Sequence, residues 1–352
     1  MIMKRVLVGM SGGIDSFVTA LLLQQQGYEV QGVVLELWKK NDIAVVEEIC
    51  QSLQIPLMYL EERKLFREKV VHPFIEAYLS GYTPSPCCFC NNQVKWEILY
   101  RIAQQYQIPF IATGHYVRIK QVLGKYYIQS GIDPTKDQSY FLYGLPQKIL
   151  SKALTPLGDY TKAEVRNWAL NHGFKQMVCR RESMGICFLE GKDYREFIRE
   201  TLGEKIEERP GWILDRAGRI LGEHRGLLNY TIGQKRDIPN RGGEPLYVSE
   251  MDVQRNVIIA DVKSSLYTSI LYLKEATWVS ESDLLAKDIT VKVRGLGINP
   301  QGFVRVEQLP KRHLKIELSE PAWAIAPGQP VAFFRRDLLV GGGIAIKRCE
   351  ME

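Results

Sequence analysis

Gly9-Met10-Ser11-Gly12-Gly13-Ile14-Asp15-Ser16 is the stretch on which the fold turns. It follows a short apolar run, Lys4 to Gly9, that reads as a strand, and it precedes Asp15 to Gln26, which has helical character and stops at Gly27. Three glycines between a strand and a helix let backbone N–H groups and the helix N-terminus converge on an anion, since glycine tolerates unusual dihedrals and close approach. Walker A chemistry is excluded, because no Lys-Ser/Thr follows the last glycine, and the spacing of the dinucleotide fingerprint is missing. The plainer alternative is a strand-to-helix turn in which Asp15 and Ser16 merely cap N–H groups.

Outward from the loop, strand and helix signals alternate. Tyr28 to Leu37 is a second apolar run; a helix over Asp42 to Leu53 precedes the strand Leu57 to Leu60; a long helix covers Leu65 to Leu79. Gln93 to Gln105 reads as a helix and Pro109 to Thr113 as a buried strand. Such repetition implies a parallel sheet with helices on both faces. After about Glu204 the pattern changes to turn signals such as Arg209-Pro210-Gly211 and Ala326-Pro327-Gly328, with short β-branched or aromatic runs between them. The expected architecture is α/β: an N-terminal doubly wound parallel sheet over residues 1–204, then two small β-rich domains over 205–264 and 265–352.

Composition narrows the class. At 352 residues, 45% hydrophobic and 24% charged, the chain is an ordinary globular protein of two or three domains. No stretch approaches the ~18 apolar residues that span a bilayer, and Met1 to Gly13 lacks a cleavage signal, so a cytoplasmic protein with no membrane partner is expected. The net charge of +6 is too modest to argue for nucleic acid by itself. Seven cysteines, an odd number, point to reactive or metal-binding thiols in preference to structural disulfides.

Two cysteine segments carry chemistry. Thr83-Pro84-Ser85-Pro86-Cys87-Cys88-Phe89-Cys90-Asn91 sets Cys90 just before the expected helix, where a helix N-terminus favours thiolate. Cys187 lies in the short apolar segment Glu182 to Phe188. Cys87-x-x-Cys90 is also half of a zinc site, but the chain has no second Cys-x-x-Cys to complete it.

GMSGGIDS resembles the PP-loop of ATP pyrophosphatases, of the adenine nucleotide hydrolase-like type. With TPSPCCFCN, ATGHYVR (Ala112 to Arg118), DPTKDQSYFLY (Asp133 to Tyr143), SMGICF, YTIGQKR (Tyr230 to Arg236), EPLYV (Glu244 to Val248) and GGGI (Gly341 to Ile344), nearly the whole chain resembles the tRNA-specific 2-thiouridylases. That resemblance implies ATP as co-substrate with Mg2+, tRNA as substrate, and a persulfide relay protein as sulfur donor. It implies ATP contacts at Gly9, Met10, Ser11, Gly12, Gly13, Ile14, Asp15, Ser16, Leu35 and Gly114. Contacts to tRNA are implied at Ser85, Pro86, Cys87, His115, Lys136, Asp137, Gln138, Arg294, Gly295 and Gln329. Cys187 is implied as the persulfide cysteine, and Cys90 as the partner that resolves it through a disulfide. Lys235, Arg236, Arg241, Lys292, Arg335 and Arg336 are further expected contacts of the phosphate backbone.

The sequence departs from the family at position 87, often Asp and here Cys, at Leu35 and at Arg294-Gly295, and in a short segment after Trp38. The cysteine at 87 keeps open an iron–sulfur cluster on Cys87, Cys90 and Cys187. A non-catalytic tRNA-binding protein is the alternative from another class.

Overall fold

In the computed structural model, which describes residues 4–39, 43–179, 185–203, 209–240, 242–295 and 297–351, the apolar run before the glycines forms β1 (Lys4–Gly9), with Val6, Leu7 and Val8 fully buried. It lies inside a five-stranded parallel sheet with β2 (Tyr28–Glu36), β3 (Leu57–Glu61), β4 (Phe110–Ala112) and a short strand at Ala153–Leu154. The order is β3-β2-β1-β4 and then Ala153–Leu154, so successive strands run to one side of β1 and then switch to the other at β4. Ligands of open α/β sheets bind at the carboxyl ends of strands at such a switch. The loops after Gly9 and after Ala112 meet there.

Helix α1 (Ile14–Gln25) covers the sheet through Phe17, Val18, Leu21 and Leu22, which join Val6, Val8, Val30 and Val34 in one core. Val165, Ala169 and Met177 from later helices close the same core. An antiparallel hairpin, β5 (Val117–Val122) and β6 (Lys125–Ser130), interrupts the expected strand–helix alternation. Its two-residue turn, Leu123-Gly124, has positive φ at both positions, as a type I′ turn requires, yet it lacks the Asn-Gly or Asp-Gly signature. The expected helix over Leu65 to Leu79 is helical, with a π-helical turn at Arg67–Val71.

The chain divides into two compact units: Met1–Val70, Cys87–Gly185 and Asp337–Val340 in one, and Val71–Pro86, Ile186–Arg336 and Gly341–Glu352 in the other. The second is sheet-rich. Gly211–Leu214, Ile220–His224, Leu246–Asp252 and Val257–Val262 form a four-stranded sheet around Ile213, Val248, Met251 and Ile258. Tyr267–Trp278, Ile289–Lys292, Val304–Leu309, His313–Trp323, Pro330–Arg335 and, from Gly341 onward, the strand Leu338–Ile346 form a larger antiparallel sheet. Its inner faces hold Leu273, Leu314, Ile316, Val331 and Phe333. The α/β sheet followed by β-rich domains is therefore the architecture. Asp42, Glu182, Ser183, Met184, Arg241 and the expected break at 204/205 lie outside the described residues.

Gly158 fits between the loop after Ala153–Leu154 and β5 because it has no side chain: a Cβ there would overlap the Val117 carbonyl and meet Arg118 Cγ at 2.8 Å. Gly158→Ala is expected to destabilise the first unit by about 1–3 kcal/mol, the usual cost of overpacking, as a lowered midpoint in urea unfolding; an unchanged midpoint would show that β5 yields freely.

Candidate active site

The loop after β1 is organised by its own hydroxyls. The Ser11 N–H and Oγ both donate to Ser16 Oγ (3.2 Å each), and Ser16 Oγ donates to the Gly13 carbonyl (2.9 Å). Gly12 sits at φ +74°, a conformation glycine adopts without strain. Gly13 is the N-cap of α1, and no side chain caps that end. The N-cap residue thus offers the first turn of α1 no side-chain acceptor, and a helix N-terminus of this kind favours an anion.

Asp15 instead turns to groups distant in sequence. Lys162 Nζ donates to Asp15 Oδ1 (2.7 Å) and Oδ2 (3.0 Å), and the Tyr116 hydroxyl donates to Oδ1 (2.7 Å). The Lys162 side chain is only 8% exposed, against 35% for Asp15, so the carboxylate compensates a nearly buried ammonium. Lys162 opens the helix Lys162–Asn171, whose start is set by a capping box between Thr161 and Glu164. Its backbone N–H donates to Asp133 Oδ2 (3.0 Å). Sequence reasoning missed Lys162. The available signal was Thr161-x-x-Glu164, which marks the helix start but not the direction of the lysine.

Gly114 packs against this group: a Cβ there would lie 3.0 Å from both the Asp15 carbonyl carbon and Cβ. Leu35 lies near the end of β2, paired with Leu60, and Met10 N–H donates to the Val33 carbonyl (2.8 Å). The structure brings Gly9 to Ser16 and Gly114 together at the switch point.

The segment Lys136-Asp137-Gln138 works inward. Gln138 Oε1 accepts from Tyr116 N–H (3.0 Å), and its own N–H donates to the Tyr116 carbonyl (3.3 Å). Asp137 accepts from the N–H groups of Gly131 (3.3 Å) and Ser139 (3.2 Å) and from Ser139 Oγ (2.8 Å). His115, expected as a tRNA contact, is interior: it is hydrogen-bonded to Thr113 Oγ1 (2.7 Å) and stacked on Trp96. Burial and the Lys95 charge lower its pKa to about 3, so it is neutral and offers no positive charge to a phosphate.

The helix expected after Cys90 begins earlier, at Pro86. Proline is favoured at a first helical position, where its missing N–H costs nothing. Cys90 therefore ends that first turn and runs into a π-helical turn, Asn91–Lys95, and then the helix Trp96–Gln105. The argument from a helix N-terminus does not apply to it. Cys90 is buried, whereas Cys187 is exposed at the start of a 3-10 turn, Cys187–Leu189. The next residue, Phe188, anchors that turn against Phe74 (5.0 Å between ring centroids) and Phe197 (5.1 Å). Both cysteines are thiols, and among the described residues no disulfide is present.

Among the other expected contacts, Thr83 N–H, two residues before Ser85, donates to the Pro327 carbonyl (2.7 Å), and Gln329 Oε1 accepts from Ala326 N–H (3.1 Å). The Arg294 guanidinium donates to the carbonyls of Trp323 (2.8 Å) and Ala324 (3.0 Å), and Gly295 follows it in the same loop. Arg335 is held by Asp288 (2.8 Å) and Asp283 (3.2 Å), so its charge is already balanced within the fold. Lys235, Arg236 and Arg336 are exposed.

Among the described residues no three His, Cys, Asp or Glu side chains gather as metal ligands, and no helix is long and apolar enough to cross a membrane. Asp15 is the single carboxylate of the loop. That donor set suits Mg2+ brought in on nucleotide phosphates, not a dedicated protein cage.

Comparison with known proteins shows the family. The chain is 42% identical to the tRNA-specific 2-thiouridylase MnmA 2 of Phocaeicola vulgatus over 97% of its own length and 98% of that protein's. The chain belongs to the tRNA-specific 2-thiouridylase family. MnmA of Carboxydothermus hydrogenoformans is 38% identical over 98% of both chains. Profiles described as a tRNA methyl transferase HUP domain, a tRNA methyl transferase PRC-barrel domain and an aminomethyltransferase beta-barrel domain match residues 4–191, 199–261 and 268–345. A solved 4-thiouridine synthetase–RNA complex with bound ATP covers 56% of this chain and 50% of its own at 16% identity and a TM-score of 0.33, too slight a likeness to bear on the chemistry.

Two outcomes follow for this thiouridylase-family site. Gly114→Ala, which displaces Asp15, is expected to weaken ATP binding roughly tenfold, since small misplacements at a site are costly; calorimetric titration checks it. His115 has a folded pKa far below its ordinary 6.5. Its contribution to stability is therefore complete above pH 6.5 and declines as pH falls toward 3, because only the unfolded chain takes up the proton. Its ring signals in NMR should not titrate between pH 5 and 8, and a midpoint inside that range would refute the buried, neutral assignment.

Proposed function

We propose that the protein catalyses ATP-dependent 2-thiolation of the wobble uridine of tRNA. The observation that carries this reading is the uncapped, hydroxyl-braced loop Gly9 to Ser16 at the switch point of a parallel sheet. Such a loop accepts the pyrophosphate released when ATP forms an adenylate. Family membership supplies the tRNA substrate. The division into a PP-loop domain (1–204) and two β-rich domains (205–264 and 265–352) belongs to the same proposal, as does a cytoplasmic location.

The ring oxygen at position 2 is a poor leaving group. Its attack on the α-phosphate of ATP makes it the oxygen of an AMP ester and releases pyrophosphate to the loop. Gly9 to Ser16, Leu35 and Gly114 hold the nucleotide in this scheme; Asp15 would hold Mg2+ brought in on the phosphates, and the ion would supply charge neutralisation. Cys187, exposed and so within reach of a protein donor, receives sulfur from a persulfide relay protein. The terminal sulfur of its persulfide attacks the activated carbon and AMP departs. The Cys90 thiolate then attacks the inner sulfur of Cys187, forming a Cys90–Cys187 disulfide and releasing 2-thiouridine. An external reductant restores both thiols. Ser85, Pro86, Cys87, Lys136, Arg294, Gly295 and Gln329 remain proposed tRNA contacts, with the base unstacked for reaction; Asp137 and Gln138 act on the tRNA through the backbone they brace. His115 serves this region from the interior.

Two cysteines and AMP-forming activation fit sulfur transfer, whereas methyl transfer needs neither.

Purified protein incubated with ATP, Mg2+, a persulfide donor and unmodified tRNA is expected to release one AMP per 2-thiouridine, read by nucleoside mass spectrometry. Cys187→Ser should abolish thiolation; full activity in that variant would refute the persulfide scheme. Cys90→Ser should stall after sulfur attack, with tRNA covalently attached to Cys187.

A further inference from the structure

A pyrophosphate cradle with an aspartate in it presents a charge conflict. The loop Gly9 to Ser16 contains no lysine or arginine, and its one ionised side chain, Asp15, has the same sign as the phosphates it must face. Helix N–H dipoles offset only a fraction of that charge. The chain resolves the conflict with a residue from far along the sequence. Lys162 Nζ reaches both carboxylate oxygens of Asp15 (2.7 and 3.0 Å), with the Tyr116 ring 5.6 Å away. Three constraints hold the lysine there: the Thr161–Glu164 capping box, the Asp133 bond to its backbone N–H, and near-complete burial of its side chain.

Burying a lysine side chain costs free energy, which ion pairing within the protein recovers only in part. An ammonium also has three donors on a flexible stem and exchanges easily between neighbouring anions. From this geometry we infer that Lys162 is a phosphate-binding residue of the ATP site: it holds Asp15 in the resting protein and bonds the β- and γ-phosphates when the nucleotide enters. It supplies from a separate helix the cation that Walker A loops carry within the loop itself. No bond is made or broken; the lysine changes partner from carboxylate to phosphate, and Asp15 becomes available to Mg2+.

This inference rests on Gly9 to Ser16 being the ATP site. The test uses the full-length protein with Mg2+, titrated calorimetrically with ATP, inorganic pyrophosphate and AMP, alongside thermal melting. Lys162→Met is expected to weaken ATP and pyrophosphate binding by about tenfold or more, the usual worth of a charge-assisted contact, and to leave AMP binding unchanged. Lys162→Arg should retain most of the affinity. Because Lys162→Met leaves Asp15 without its cation, the double variant Asp15→Asn/Lys162→Met guards against a folding defect: it should melt near the wild type yet still bind pyrophosphate weakly. Wild-type pyrophosphate affinity in either methionine variant, or an equal loss for AMP, overturns the role of Lys162 alone. Failure of the wild-type protein to bind ATP overturns the ATP site and Lys162 with it.

Discussion

The contact between Lys162 and Asp15 joins three stretches that the chain keeps far apart: the glycine loop after β1, the turn Thr113 to Tyr116 after β4, and the helix that starts at Thr161. A nearly buried ammonium must have an anionic partner, because the interior offers it no hydration. Once Lys162 is placed by its capped helix, Asp15 is drawn to it, and Tyr116 and Gly114 must fit around the pair. Gln138 then clasps Tyr116 from the other side through its backbone. Much of what resembles a binding motif in the sequence is bracing for this group.

The two cysteines show a complementary division. Cys187 stands exposed on a turn fastened by the aromatic contacts of Phe188, so its thiol is presented without the backbone being loose. Cys90 is shielded within a helical run that passes through a π-helical turn, a feature often found at functional sites. One thiol is open to solvent and the other is kept from it.

Local pattern made much of the fold legible. Val6 to Val8 before Gly9, Gly12 and Gly13, and the apolar runs at Tyr28, Leu57 and Pro109, are strands whose character depends only on neighbouring residues, although Leu57–Glu61, at the sheet edge, is only half-buried. The β5–β6 hairpin was not legible, because Leu123-Gly124 adopts its turn without the usual residues. Nor was the true helix start at Pro86, although proline at a first helical position is a recognisable sign. The interior position of His115 was not legible either, because its motif is the same whether the ring faces solvent or stacks on Trp96.

Sequence by itself determined the anion loop, the change from alternating strands and helices to β-rich structure, and the two cysteine segments, since each is written in contiguous residues. Tertiary structure alone decided that Lys162 meets Asp15, 147 positions away, that His115 is neutral and interior, and that Arg294 and Arg335 spend their charge on carbonyls and carboxylates within the fold. These depend on which side chains burial forces together, and that follows from the packing of distant segments within each unit.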